Sequence, residues 1–183
     1  DYYILSGTGH NPRLIVKLGK LIAKREIVKN GAKFRSKTLD GMCFGAFNKP
    51  FKNESGSRFN WLSHDRTRVE KYDADEYCGF ILTASAFADL FDGLLFISNP
   101  DNLKKIPAGT RVLLVSGGDD PVGARGKGVR RVKKMLAGAG ADVEIKLYPG
   151  LRHELLNEPE RADVADFLKT RVMAVKSNKN TWL

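Results

Sequence analysis

Cysteine is scarce in this chain: Cys43 and Cys78 are the only two among 183 residues. Two cannot build a disulfide framework or an all-cysteine zinc site, and the scarcity predicts a reducing, cytoplasmic setting. No run of about 18 apolar residues occurs, which excludes an ordinary transmembrane helix. Paired His/Cys spacings are missing, as is a glycine-rich phosphate loop leading into a helix, so no metal or cofactor is expected. With 42% hydrophobic and 28% charged residues, the composition excludes collagen-like, low-complexity and wholly disordered classes. The opening Asp1-Tyr2-Tyr3-Ile4-Leu5 lacks both an initiating methionine and the basic flank of a signal peptide. It reads as a strand entered midway, and the expectation is a piece of something longer.

What is present in excess is positive charge, and it is localised. The net charge is +10, and residues 11–71, with 15 Lys/Arg against 5 Asp/Glu, carry all of it. Such a segment predicts either a surface that meets phosphate or a well-solvated helical face. No RNA-binding, zinc-finger or helix-turn-helix signature accompanies it, so no nucleic-acid partner is expected.

The pattern along the chain divides into three parts. Residues 2–7 read as a short buried strand, after which Gly7 and Gly9 allow a sharp turn. Asn11-Pro12 then reads as a helix start, with Asn11 as N-cap. Leu14, Ile15, Leu18, Leu21, Ile22 and Val28 recur at helical spacing and are expected to pack, with Arg13, Lys17, Lys20 and Lys24 turned to solvent. Residues 32–103 show no strand alternation and many aromatics. They predict a helical subdomain, able to wall an apolar pocket, in which Phe80, Ala84, Phe87, Phe91 and Leu94 share a stripe. From Ile106 onward the pattern becomes strand 111–115, helix 124–138, strand 143–148 and helix 158–172. That last helix is expected to bury Ala162, Ala165, Leu168 and Val172. Short connections and an all-apolar first strand predict parallel α/β architecture.

Candidate chemistry sits just past two strand ends, where such folds place their working groups. Ser116-Gly117-Gly118-Asp119-Asp120-Pro121 follows one strand, and Pro149-Gly150-Leu151-Arg152-His153-Glu154 follows the other. A carboxylate that orients an imidazole is general-base apparatus for acyl transfer. Asp119 and Asp120 compete for the acid position. Glu154 reads as a loop support, His10 as a loop residue without a role, and His64 as a surface residue at a helix start.

These stretches resemble a known family. LLVSGGDDPVG, KLYPGLRHELLNE, YILSGTGHNP, CFGAFNKPF, YCGFILTASAFADLFDGL and ISNPDNL are similar to segments of α/β-hydrolases of the monoacylglycerol lipase and lysophospholipase group, within the wider serine aminopeptidase-like family. The resemblance implies an α/β-hydrolase fold, here its C-terminal portion with a mostly helical cap inserted. Residues 1–10 would be a core strand and its loop, 11–103 the cap, and 104–183 the rest of the core. It assigns Asp120, directly before Pro121-Val122, as triad acid and His153 as triad base, with Asp119 a turn residue. It implies hydrolysis of carboxylic esters, with monoacylglycerol- or lysophospholipid-like substrates. For the basic amphipathic helix in residues 11–30, the alternative to packing on its own protein is peripheral contact with an anionic membrane.

One departure is large. The nucleophile motif Gly-x-Ser-x-Gly does not occur in these 183 residues, nor does a His-Gly oxyanion motif. The expectation is therefore a chain that holds the acid and the base but not the serine, and that is inactive alone. The alternative is a catalytically inactive fragment or a ligand- or partner-binding module.

Overall fold

A computed structural model describes residues 2–177 of the chain. The first strand, β1 (Tyr2–Ser6), is followed by helices α1 (Arg13–Asn30), α2 (Lys37–Phe44), α3 (Arg66–Ala74), α4 (Ala84–Ile97) and α5 (Pro100–Leu103). Then come β2 (Arg111–Gly117), α6 (Lys127–Gly138), β3 (Asp142–Tyr148) and α7 (Arg161–Ser177). The strands form one parallel sheet in the order β1-β2-β3, with Ile4 opposite Leu113 and Leu114 opposite Ile145.

The central strand explains its own composition. Val112 and Leu114 face a cluster with Val129 of α6 and Val143 of β3, while Leu113 and Val115 face Leu151, Leu155 and Val164 of α7. Both faces of β2 are covered, so no polar alternation is tolerated. β1 was expected to be buried and is only partly so: Tyr3 and Leu5 are 49% and 41% exposed, because β1 pairs with β2 alone among the described strands. The α7 stripe also differs from expectation. Val164, Phe167 and Leu168 pack on the sheet, whereas Ala162 and Ala165 are exposed.

Helices α1–α5 lie between β1 and β2 in the chain and are locally well specified. Ser36, Asp65 and Thr83 accept backbone N–H bonds at the starts of α2, α3 and α4, each satisfying otherwise orphaned donors. At α1 the expected cap is displaced by one residue: Pro12, not Asn11, holds the N-cap position, without a side-chain bond.

The largest correction concerns the face α1 presents. Its packed residues are Val16, Gly19 and Ala23, set against Phe87 and Phe91 of α4. Of the expected core stripe, Ile22 does pack against this cluster, but Leu14, Ile15, Leu18, Leu21 and Val28 are 79%, 62%, 55%, 47% and 89% exposed. Close approach decides this. A Cβ on Gly19 would lie 2.7 Å from Phe91 Cζ, so only the smallest residues of α1 let the helices meet. Arg13 and Lys20, expected in solvent, instead anchor the contact: Arg13 Nη1 donates to Leu95 O at 2.6 Å, and Lys20 pairs with Asp92. In α4, Phe87 and Phe91 are buried as expected, while Phe80, ahead of the helix, is 52% exposed and stacks on Arg35. Among the described residues no helix is long and apolar enough to cross a membrane.

Candidate active site

β2 and β3 are parallel neighbours, so the loops that follow them emerge at the same edge of the sheet. Two glycines let these loops interlock. A Cβ on Gly117 would sit 2.1 Å from Leu151 O and 2.2 Å from Arg152 O, so only a bare backbone allows the second loop to cross there. Gly118 N–H donates to Tyr148 O at 2.7 Å and Asp119 N–H to Leu151 O at 3.0 Å, which ties one loop to the other.

Asp120 is fully buried at the end of the first loop. Its Oδ1 accepts from Val122 N–H at 2.8 Å, a local turn that Asp favours. Its Oδ2 lies 3.1 Å from His153 Nδ1 and 3.3 Å from Ser116 Oγ. The turn closes through Ala124 and Arg125, which adopt φ of 48° and 52°, and Arg125 N–H bonds back to Asp120 O at 2.9 Å. Left-handed backbone at non-glycine residues is costly and persists where surrounding structure enforces it. Asp119, the rival carboxylate, is exposed, and its side chain bonds to neither histidine nor loop among the described residues.

The imidazole of His153 is held on three sides. Asp120 is at Nδ1. The Trp61 ring lies with its centroid 5.3 Å away, tilted by 44°. Gly7 closes the third side: a Cβ there would come within 2.8 Å of His153 Cε1. A carboxylate can only accept, so Nδ1 carries the proton in the neutral ring and Nε2 keeps its lone pair. Nε2 has no hydrogen-bond partner among the described residues.

Residues 3–160 match the family model described as "Serine aminopeptidase, S33". The chain belongs to that family. Solved structures agree on the α/β-hydrolase fold. A thermostable carboxyl esterase from Bacillus coagulans, in complex with glycerol, superposes with a TM-score of 0.80 at 22% identity, over 95% of this chain and 55% of that one. A lipase in its open form superposes at 0.79 and 26% identity, over 97% and 58%. A soluble variant of the Saccharomyces cerevisiae monoglyceride lipase, in complex with a substrate analogue, gives 0.62 at 20% identity, over 92% and 51%. The chain thus spans about half the length of the solved structures it matches.

The remaining sequence candidates separate in space. Glu154 supports its loop: its Oε2 accepts from Asn157 Nδ2 at 2.8 Å. His10 follows β1 near Gly128 and makes no described contact with Asp120 or His153. His64 is not merely a surface residue, since its Nδ1 lies 2.9 Å from the buried Glu158 carboxylate. Sequence reasoning missed Gly7, Trp61, Arg152 and Glu158. Arg152 and Glu158 flank the His153 loop, and their burial is the one signal that sequence does not carry.

Proposed function

We propose that this chain supplies the acid and the base of a serine ester hydrolase acting on lipid-like carboxylic esters, with the nucleophilic serine outside these 183 residues. The observation that carries the reading is the buried Asp120 carboxylate 3.1 Å from His153 Nδ1, with Nε2 left open. In this role Nε2 takes the proton of the attacking serine hydroxyl and later delivers it to the leaving alkoxide. Asp120 holds the reactive tautomer and stabilises the imidazolium while staying ionised itself.

Helices α1–α5 act as the cap in this reading. They contain a cavity of about 350 Å³ lined by Phe44, Phe59, Trp61, Tyr72, Phe80 and Leu82 among others. Trp61 belongs both to this wall and to the surroundings of His153, which sets the cavity beside the imidazole. That favours esters with an apolar portion; the neighbours are a carboxyl esterase and lipases. The outward leucines of α1, beside Lys17, Lys24 and Arg25, suit contact with an anionic lipid surface.

The test is hydrolysis of p-nitrophenyl esters of graded chain length by the full-length protein. Loss of turnover in His153→Ala by ~10³ or more is expected. Turnover that persists in His153→Ala would overturn the reading and leave a binding module in its place.

A further inference from the structure

His153 is held through its backbone as well as its ring. Both flanking amides are engaged: Arg152 N–H donates to Glu158 Oε1 at 2.5 Å, and Glu154 N–H donates to Leu62 O at 2.8 Å. Glu158 has 0% of its surface exposed. Its Oε2 accepts from Ser63 Oγ at 2.7 Å and from His64 N–H at 2.9 Å, and faces His64 Nδ1 at 2.9 Å. The Arg152 side chain reaches the same segment: Nη1 donates to Asn60 O at 2.6 Å and Ser63 O at 3.2 Å. Its Nη2 forks onto both oxygens of Glu54, at 2.6 and 2.7 Å. Trp61, the ring beside His153, lies in that segment too.

A buried carboxylate is expensive, and apolar residues of similar volume often serve stability as well. The Glu158 carboxylate does something an apolar side chain does not. It joins the amide before His153 to the hydroxyl and amide of residues 63 and 64, which lie 94 or more positions away in the chain. We propose that Glu158 is a positioning residue, locking loop 152–154 to segment 60–64, so that cap placement and His153 imidazole orientation are set together. The proposal rests on His153 as the base, as read above. Glu158 touches no reacting atom; it acts through the Arg152 N–H, one residue ahead of the imidazole. A displaced segment 60–64 would therefore release Nδ1 from Asp120 and mix the tautomers.

The experiment is 15N NMR of the histidine rings in the full-length protein, with the His153 signals assigned by their loss in His153→Ala. Wild-type His153 is expected to show a single Nδ1–H tautomer in its neutral form. Glu158→Gln and Ser63→Ala are expected to lose that single pattern, with dispersed amide signals reporting an intact fold and Glu158→Asp restoring part of it. If Glu158→Gln unfolds, Ser63→Ala decides, because it keeps the buried charge and removes one donor. A folded variant with an unaltered His153 pattern would overturn the lock. Asp120→Asn is the control: if it leaves the pattern unaltered, the Asp120–His153 reading fails. If it disturbs the pattern while Ser63→Ala and Glu158→Gln do not, only the lock fails.

Discussion

Gly7 lies under His153: a Cβ on this residue would stand 2.8 Å from Cε1 and 3.0 Å from Nδ1 of the imidazole. Its φ of +66° adds a second reason for glycine, since side chains are disfavoured there. The turn after β1 thus serves as the floor of the site without contributing a functional group.

Gly7→Ala should therefore move the ring. Overpacking of this kind costs about 1–3 kcal/mol, to which the left-handed backbone adds. A lowered midpoint in urea together with a changed His153 NMR signal is expected. An unchanged midpoint and signal would show that the loop yields freely and that the close contact has no consequence.

The two adjacent aspartates should behave differently. Asp120→Asn favours the wrong imidazole tautomer and should cut ester turnover severely, by ~10³ or more. Asp119→Asn, on an exposed side chain, should stay within a few-fold of wild type. Steady-state kinetics of the two variants side by side separate them, and the reverse ranking would move the acid to Asp119.

Lipid contact through α1 is testable because the packed and outward faces are now distinguished. Lys20 is unsuitable for mutation, since it pairs with Asp92 of α4. Lys17, Lys24 and Arg25 are exposed, and charges near an anionic surface are worth about 1 kcal/mol each. Changing these three to Glu should lower co-sedimentation with anionic vesicles, and salt should weaken the wild-type binding. Leu18→Asp should lower it further without unfolding the helix, because Leu18 is 55% exposed. Binding that ignores all four changes would leave the outward leucines for another surface.

Cys43 provides a pH-dependent signal. It packs against the α1–α4 core, and burial, helped by nearby Asp40, pushes its thiol from 9.0 up to about 11. A raised value means the folded protein keeps the proton where the unfolded chain has lost it. The stability tied to the neutral thiol is thus fully present below pH 9.0 and is lost as pH climbs through about 11. The difference in urea midpoint between wild type and Cys43→Ala should shrink across that window, and a constant difference would contradict the shift.

How much of this was legible in the sequence depends on the range of the forces involved. The unbroken apolar run of β2 could only be a strand covered on both faces, and chain order placed Asp120 and His153 on adjacent strand ends. The helical character of the segment between β1 and β2 showed in its lack of strand alternation and in the spacing of Ala84, Phe87 and Phe91. These are local signals, in which hydrophobic period and backbone satisfaction act over a few residues. What α1 would bury was not local. Spacing favoured its leucines, yet contact with Phe87 and Phe91 went to Val16, Gly19 and Ala23, because helix approach depends on the partner's surface. The same holds for Glu158 and Arg152: Ser63 and Asn60 lie more than 90 residues away in the chain. Only the packed loops bring those donors and acceptors within reach, and only there does a buried charge become tolerable.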